Sequence, residues 1–526
     1  MRLALFGCVM IKGWHCAAGK LVSSSGETIM GSNPLDVLLA RAAEINLTYH
    51  LNYFVANLVR MMNLTPEQGK EFIKGRLTFQ GQKIRYAPGK YLAIGRTVFA
   101  DAFQYHEEEL WRQSPDENHL DLARRACEIG GEVYSALTSI GLHPTKLTSP
   151  IGAFQAEVLS RGDFPTVDDM PSQVGEMAYE CCKGSWLECY KIGHFPQTFD
   201  YDICSAYPSE IYNLTDIRNG LWLRSSKYAS ESVYGFARGL VTVNSDISPM
   251  LYAKGRCRGD RQNFTPTGSW NETLTKQQID YLHETGEGTF EIRDAFWFIP
   301  EGRQSYPYRS LIEKLFEHKE KNTGLRRTVI KRIPNGLYGK MLEIHVEDDG
   351  SEKMGDLFNP VYGAITETNT RLKDARFVKS QGLENNLLHV AVDGLLLDTE
   401  VTSGLSDDLG GWRESNRGAA YVVGAGAVAL EGKEGRGDFS LSYNWLKNQI
   451  AENPDATDYV MSKPAPITLP LAISSNQWAK LGTLQPAQRA IGLTYESKRL
   501  FPEMPACGAD LQNKVYNSLP LDVLMC

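Results

Sequence analysis

The stretch 198–211, TFDYDICSAYPSEI, constrains this chain more than any other part of its sequence. Its aromatic and β-branched start predicts a buried strand. We expect the strand to break at Pro208, after which Ser209 would cap a short helix that starts at Glu210. Asp202 would then lie at the end of a rigid strand, a suitable position for a metal ligand. The alternative is a core strand that carries an exposed acid.

Two later stretches also place polar residues at informative spacings. Lys331, Asn335 and Tyr338 stand at i, i+4 and i+7, which places them on one face of a helix. Asp393 and Gly394 lie between two apolar runs, the strongest short-range signal for a β-hairpin. This pattern would expose the Asp393 carboxylate at a tight turn.

In this order, the three stretches resemble the polymerase motifs of the family B DNA polymerases, and most of all the compact phage and plasmid branch that includes protein-primed enzymes. The first motif, Asp-x-x-Ser-Leu-Tyr-Pro-Ser, is matched by Asp202, Ser205, Tyr207, Pro208 and Ser209. The second, Lys-x-x-x-Asn-Ser-x-Tyr-Gly, is matched by Lys331, Asn335, Tyr338 and Gly339. The third, Tyr-x-Asp-Thr-Asp-Ser, is matched only by Asp393, and Ala391 replaces its first acid.

Length and composition agree with a large enzyme of several domains. A chain of 526 residues should divide into more than one domain. Its net charge of −8 gives no overall basic surface, so DNA binding must come from local basic patches. The ten cysteines form no Cys-x-x-Cys pair, which argues against a structural zinc site and indicates reduced thiols in a cytosolic compartment. No apolar run has transmembrane length, and the apolar segment 1–10 is expected to form a first strand.

The resemblance implies an α/β and α+β multidomain fold, a right-hand polymerase with palm, fingers and thumb behind an exonuclease-like domain of the ribonuclease-H kind. The expected domains are the exonuclease-like domain at 1–165, the palm at 166–308 and 341–414, the fingers at 309–340, and the thumb with the C-terminal tail at 415–526. Within the first domain we predict a helix and then an apolar segment at 33–63, a strand pair at 90–101 and a helix at 118–141.

The exonuclease-like domain is expected to lack 3′–5′ proofreading. That reaction needs a cluster of carboxylates to hold two metal ions, and the first thirty residues contain a single acid, Glu27. Val55 stands where relatives carry an Asp. Asp121 is either a surviving ligand or an acid that stabilises the first turn of its helix. Template-strand binding would be the remaining role of the domain.

The resemblance also implies the chemistry of the site. Asp202 and Asp393, with the carbonyl of Ile203, would hold two Mg²⁺ ions, with Mn²⁺ as a substitute. Two acids suffice, because Mg²⁺ combines few carboxylates with phosphate and water oxygens. The reaction would be in-line phosphoryl transfer to a primer 3′-hydroxyl. Tyr207 would exclude the 2′-hydroxyl of ribonucleotides; the alternative is a core tyrosine with a satisfied hydroxyl.

The basic segment 314–340 contains eight Lys and Arg residues, and two helices that meet at 322–324 would form the fingers. The residues expected to bind the nucleotide are Lys319, Arg327 and Lys331 for the triphosphate, together with Ser205, Tyr207 and Asn335. The residues expected to bind template or primer are Lys183 and Gly184, within a segment resembling Tyr-x-Gly-Gly-Arg-x-Glu, and Tyr338 and Gly339. The alternative for the basic cluster of Lys319, Arg327 and Lys331 is a solvated face of the helices. The alternative for Lys183 is a lysine on the surface of an amphipathic strand. The basic loop 254–261 contacts phosphates or is simply a surface loop.

These residues predict a DNA-templated DNA polymerase that adds dNTPs to a primer 3′-hydroxyl without proofreading. Ala391, Pro334 inside the second motif, and the sequence 424–427 in place of the Lys-x-Tyr primer motif favour a non-catalytic nucleic-acid-binding protein instead. A self-priming or template-independent nucleotidyltransferase is the other alternative. The expected partners are primer-template DNA, dNTPs, and a terminal or accessory replication protein. A monomer in the cytoplasm of a bacterial or archaeal host, without membrane contact, is expected.

Overall fold

The structure is a computed structural model. It describes residues 10–17, 20–30, 34–105, 115, 117–152, 154–155, 164–254, 262–346, 350–433, 441–494 and 496–523. The expected first strand at 1–10 and the basic loop at 254–261 lie almost entirely outside these residues. No helix in the described part of the chain is long and apolar enough to cross a lipid bilayer.

Within the described residues the β-strands are, in chain order, β1 (Ile11–Ala17), β2 (Lys20–Ser23), β3 (Thr28–Met30), β4 (Ile45–Thr48), β5 (Thr78–Phe79), β6 (Gln82–Ala87), β7 (Tyr91–Ile94), β8 (Thr97–Asp101), β9 (Leu187–Cys189), β10 (Lys191–Ile203), β11 (Gly220–Arg224), β12 (Tyr234–Val243), β13 (Tyr252–Lys254), β14 (Gln262–Phe264), β15 (Gly268–Thr275), β16 (Gly288–Pro300), β17 (Ile344–Val346), β18 (Glu352–Met354), β19 (Leu387–Ala391), β20 (Gly394–Leu397), β21 (Trp412–Gly424), β22 (Ala427–Leu430), β23 (Asp458–Pro466), β24 (Leu484–Gly492) and β25 (Val515–Asn517).

The α-helices of the same residues are α1 (Leu35–Leu39), α2 (Leu51–Met61), α3 (Pro66–Ile73), α4 (His119–Ser139), α5 (Ser172–Cys181), α6 (Ala206–Tyr212), α7 (Lys276–Thr285), α8 (Arg309–Glu320), α9 (Gly324–Met341), α10 (Pro360–Ser380), α11 (Tyr443–Glu452), α12 (Leu469–Ser474) and α13 (Gly508–Asn513). Single 3₁₀ turns occur at Phe103–Tyr105, Val167–Asp169, Glu384–Asn386 and Trp478–Lys480.

The chain forms two compact units. The first comprises residues 1–162, 314–334 and 462–489, and the second comprises residues 163–313, 335–461 and 490–526. The boundary near residue 163 lies close to the expected end of the exonuclease-like domain. The further division into palm, fingers and thumb stays a prediction.

The first unit is built on an eight-stranded sheet in the order β3-β2-β1-β4-β8-β7-β6-β5. Strands β1, β4 and β8 are parallel neighbours, and the other described pairs in the sheet are antiparallel. Helix α4 packs closely on β1 because Gly13 has no side chain: a Cβ there would lie 1.8 Å from the carbonyl oxygen of Ala123. Trp14, Phe54 and Phe99 belong to the core of this unit.

Three local predictions for this unit can be compared with the structure. The strand pair at 90–101 is confirmed by β7 and β8, and the helix at 118–141 by α4. In 33–63 the expected helix is the short helix α1, and the apolar segment that follows it contains β4 and α2. All four residues of β4 are buried between β1 and β8, so sheet pairing decides the structure of this short apolar run.

The second unit contains two larger sheets. One has the order β22-β21-β10-β20-β19-β9, and β25 also pairs with β10. The other is a four-stranded antiparallel sheet in the order β11-β16-β12-β15. Strand β10 lies at the centre of the first sheet, where Phe199, Tyr201 and Ile203 enter the core. Burial of such side chains contributes roughly 1.5–3 kcal/mol each.

The helix after β10 begins earlier than the sequence predicts. Helix α6 starts at Ala206, and Ser205 precedes it in the left-handed conformation with φ 55°. Pro208 therefore lies in the first turn, where its missing N–H costs no intrahelical hydrogen bond. The predicted cap at Ser209 is wrong, because its hydroxyl donates a hydrogen bond to the carbonyl of Ala206 inside the helix (2.7 Å).

The predicted helix pair of the basic segment is confirmed as α8 and α9, which are separated by residues 321–323. Helix α9 continues on both sides of Pro334. One of the points at which the chain passes from the first unit to the second lies between Pro334 and Asn335.

Asp101, the last residue of β8, is a buried acid that connects two elements of the first unit. Its Oδ1 accepts hydrogen bonds from the backbone N–H groups of Leu51, at the start of α2, and Phe103, both at 3.0 Å. Burial raises the pKa of the Asp101 carboxyl to about 7, although both hydrogen bonds act in the opposite direction. The folded protein therefore retains a proton that the unfolded chain releases near pH 4.

We predict that Asp101→Asn removes a pH dependence of stability. Since the folded-state pKa is raised, the wild-type free energy of unfolding falls as the pH rises from about 4 to 7. Relative to the Asn variant, the wild type should lose about 3 kcal/mol between pH 5 and pH 8. Urea unfolding at the two pH values measures this difference, and Asp121→Asn, at an exposed acid, is the control. An equal stability difference between wild type and D101N at both pH values would contradict the assignment.

Candidate active site

Asp202, on β10, and Asp393, in the loop that leads into the neighbouring strand β20, are far apart in sequence but close together in the central sheet. In the antiparallel pairing of β10 with β20, Asp202 stands opposite Gly394. The backbone N–H of Ile203 donates a hydrogen bond to the carbonyl of Asp393 at 2.9 Å. The sheet thus brings together the three residues expected to bind metal, and their role as ligands stays a prediction.

The hairpin that carries Asp393 is present, but its loop lies one residue earlier than the Asp-Gly pattern predicts. Gly394 is already in β20, opposite Ala391, so the loop consists of Val392 and Asp393. Val392 has φ 63°, a left-handed conformation that is strained for a β-branched residue. Its N–H donates to the carbonyl of Trp186 at 2.8 Å, which helps to hold the strained turn.

Arg413 holds the carboxylate of Asp202 in a bidentate ion pair. Strand β21 pairs with β10 and places Arg413 directly opposite Asp202. Its Nε lies 3.1 Å from Oδ1 and its Nη2 lies 3.0 Å from Oδ2. Hydrogen bonding to Asp202 raises the pKa of Arg413. The sequence analysis missed Arg413, since only the register between β10 and β21 reveals its partner.

The donor set of this site suits a hard divalent cation. Asp202 and Asp393 provide carboxylate oxygens and Ile203 a carbonyl oxygen, the ligand types that Mg²⁺ prefers. Among the described residues, no group of three or more His, Cys, Asp or Glu side chains could hold a metal ion. Ala391 stands at the position of the first acid of the third motif, so the expected acids of the site are Asp202 and Asp393. A metal ion on Asp202 must also contend with Arg413.

Two tyrosines from the first and second motifs pack against each other with their rings tilted. The ring centroids of Tyr207 and Tyr338 lie 4.4 Å apart at an interplanar angle of 32°. The hydroxyl of Tyr207 is 3.1 Å from the Oγ of Ser185, and that of Tyr338 donates to Oε2 of Glu367 at 2.6 Å. Burial raises the pKa of Tyr207 to about 12, so it remains a neutral phenol. Sugar selection by Tyr207 stays a prediction.

A buried ion pair on α10 anchors the segment around Lys183 and Gly184. Glu367 and Arg371 are each about 2 % exposed and lie 2.5 Å apart. Glu367 accepts a hydrogen bond from the backbone N–H of Lys183 at 2.9 Å, and Arg371 donates to the carbonyl of Gly184 at 2.6 Å. Since Glu367 also binds Tyr338, one carboxylate connects the second motif to the expected template-binding segment. The sequence analysis missed this pair.

The ammonium of Lys183 points into the protein. It lies 2.7 Å from Oε2 of Glu272 and donates to the carbonyl of Leu251 at 3.3 Å. The side chain is buried, so its charge is already compensated within the second unit. Gly184 has φ 89°, which favours glycine at this position. Template binding by Lys183 and Gly184 stays a prediction.

The basic residues expected to bind the triphosphate differ in their partners. Glu320 connects two of them, because its Oε1 lies 2.9 Å from Nζ of Lys319 and 3.1 Å from Nη2 of Arg327. Burial acts to raise the pKa of Glu320, but Lys319 and Arg327 outweigh it and hold the pKa below its usual value. Lys331 is exposed and has no acidic partner within 4 Å among the described residues.

The remaining predicted residues occupy different positions around these elements. Ser205 precedes α6, whereas Asn335 and Gly339 are exposed on α9. Their assignments to nucleotide and template or primer stay predictions.

Comparisons with known proteins agree with this architecture. Residues 187–382 match the family model described as DNA polymerase type B, organellar and viral. Phi29 DNA polymerase in a ternary complex with primer-template DNA and incoming nucleotide has 12 % sequence identity and a TM-score of 0.59, over 92 % of this chain and 100 % of that chain. Its post-translocation binary complex with primer-template DNA gives the same values. Its orthorhombic crystal form has a TM-score of 0.60 at 12 % identity, with the same coverage. No curated protein matches this sequence.

The matched family segment covers less than half of the chain, and it is similar to type B DNA polymerases. The chain has a mixed α/β multidomain fold similar to that of Phi29 DNA polymerase. The resemblance drawn from the three motifs is thereby confirmed, while the roles of individual residues are not.

We predict that Glu367→Ala lowers the free energy of unfolding by about 3–5 kcal/mol, because the buried guanidinium of Arg371 loses its charged partner. Urea unfolding measures the loss. The control is Glu284→Ala. It removes the exposed partner of Arg376, which lies on α10 like Arg371, and should lower the free energy of unfolding by less than about 1 kcal/mol. Similar losses of unfolding free energy in the two variants would show that the buried pair of Glu367 and Arg371 contributes no more to stability than an exposed ion pair.

Proposed function

We propose that this polymerase extends a primer 3′-hydroxyl with dNTPs on a DNA template. The observation that carries the proposal is that the sheet brings Asp202, on β10, close to Asp393, in the loop before β20. Asp202 lies inside the segment that matches the type B family, and Asp393 follows that segment. A protein that only binds nucleic acid would have no chemical need for two acids at this point. The retained residues of the second motif on α9 support the same function.

Asp202, Asp393 and the carbonyl of Ile203 would hold two Mg²⁺ ions, which Mn²⁺ can replace. When bound, the ions supply electrostatic stabilisation of the attacking and leaving oxygens in phosphoryl transfer. The protein contributes the rigid sheet that fixes the two carboxylates, together with the aromatic rings of Tyr207 and Tyr338.

The nucleotide would be bound by residues of the first and second motifs and of the basic segment. Tyr207, with its ring fixed against Tyr338, would exclude a ribose 2′-hydroxyl. Of the three cations proposed for the triphosphate, Lys331 on α9 is the most exposed. Lys319 and Arg327 would contribute through rearrangement of their pairs with Glu320. The further proposed ligands are Ser205 and Asn335 for the nucleotide, and Lys183, Gly184, Tyr338 and Gly339 for template or primer.

Residues 1–165 would form an exonuclease-like domain without proofreading, and palm, fingers and thumb would have the boundaries expected from the sequence. The positions of its acids support this. Glu27 is paired with Lys12 at 3.1 Å and Arg41 at 2.9 Å, and Asp101 holds backbone N–H groups. Asp121 is exposed in the first turn of α4, the position of an acid that stabilises a helix.

The proposed partners are primer-template DNA and dNTPs, as in the Phi29 complexes. A terminal protein or accessory replication protein would join them. We place the protein as a monomer in the cytoplasm of a bacterial or archaeal host, by analogy with the compact phage branch.

The test is nucleotide incorporation by the purified protein with Mg²⁺ and dNTPs, with and without a primed template. We expect synthesis only with the primed template. Asp202→Asn and Asp393→Asn should each lower the incorporation rate at least about 100-fold, since each removes charge stabilisation worth several kcal/mol. DNA affinity, measured by fluorescence anisotropy at fixed salt, should be retained.

Two controls accompany this experiment. Asp294→Asn, which removes an exposed ion pair with Arg224 on the second sheet, should leave the rate unchanged. Without dNTPs, a 3′-labelled primer should stay intact, as expected without proofreading. Products without primer would favour a self-priming or template-independent enzyme. Absence of incorporation would favour a nucleic-acid-binding protein.

A further inference from the structure

The carboxylate of Asp202 is bound by a cation of the protein itself. The guanidinium of Arg413 contacts both of its oxygens, at 3.1 and 3.0 Å. This contact is set by the fold, because Arg413 and Asp202 are directly opposed residues of the antiparallel strands β21 and β10. Opposite charges on directly opposed residues of two antiparallel strands attract each other and stabilise the pairing.

The neighbouring acid of β10 is compensated in the same way. Asp200 is buried, and its Oδ2 lies 3.0 Å from Nζ of Lys433 and 2.9 Å from Oγ of Ser415, two residues after Arg413 on β21. The β21 side of the sheet thus supplies a positive group to each of these acids. Since Ala391 stands in place of the third acid of the family pattern, the side chains of Asp202, Asp393 and Arg413 together carry a net formal charge of only −1.

This arrangement is unfavourable for a free divalent cation. Both Asp202 oxygens already accept hydrogen bonds from a guanidinium, and a metal ion on the same carboxylate would be repelled by it. Arg413 is about one-third exposed at its side chain, so it has room to turn towards solvent. A ligand that adds negative oxygens, such as a triphosphate, would shift the balance towards the metal.

We propose that Arg413 is an internal counter-ion that competes with divalent metal for Asp202, so that the polymerase alone binds metal weakly and acquires it together with the nucleotide triphosphate. This inference rests on the proposed role of Asp202 as a metal ligand. It assigns to Arg413 control of metal occupancy, by releasing or holding Asp202, and no contact with the reacting atoms.

The test is a titration of the nucleotide-free protein with Mn²⁺, followed by electron paramagnetic resonance at fixed pH and salt. Arg413→Met should bind Mn²⁺ at least 10-fold more tightly than the wild type. Arg417→Met is the matched control, because Arg417 lies on the same strand but pairs with Glu414 and Glu400. It should change the Mn²⁺ affinity less than 2-fold. Adding Asp202→Asn to Arg413→Met should abolish the gained affinity.

Unchanged or weaker Mn²⁺ binding by Arg413→Met would overturn the proposal, since Arg413 would then be neutral towards the metal or would orient Asp202 for it. Thermal unfolding shows whether the variant is folded, and Arg413→Gln replaces it if it is not. The primed-template assay separates this proposal from the proposed function. If incorporation does not need Asp202, the function as assigned fails; if it does, and R413M binds Mn²⁺ like the wild type, only the counter-ion role fails.

Discussion

The register of β10 between β20 and β21 is the constraint on which the site depends. On one side it sets Asp202 against Gly394, next to Asp393, and on the other it sets Asp202 against Arg413. A slip of one residue would move every side chain of β10 to the opposite face of the sheet. The apolar residues of β10, such as Tyr201 and Ile203, make that slip costly because they would leave the core.

A second level of organisation lies on α10, where buried charge connects parts of the chain that carry different tasks. Glu367 contacts the tyrosine of the second motif, the backbone at Lys183 and the guanidinium of Arg371. Such a pair adds little net stability over apolar residues, but the loss of one member is costly. Its value is geometric, since it fixes the ring of Tyr338 against Tyr207 and holds Gly184 in place.

Sequence reasoning reached the features that depend on local pattern and motif order. The strand that leads to Asp202, the hairpin at Asp393 and the helix that carries Lys331 were all predictable. It placed the start of α6 incorrectly because a proline is tolerated in the first turn of a helix. It placed the loop of the hairpin incorrectly because the left-handed Val392 is held by a hydrogen bond to the carbonyl of Trp186, far away in sequence. It also missed Arg413, whose partner is set by strand register.

The central claim is that Asp202 and Asp393 share metal ions once Arg413 has moved aside. The most direct measurement is a crystal structure with primer-template DNA, a non-hydrolysable dNTP and Mn²⁺, read by anomalous scattering. The account predicts manganese peaks bound by both carboxylates, with the guanidinium of Arg413 turned away from Asp202. Manganese bound elsewhere, with the Arg413–Asp202 pair intact, would contradict it.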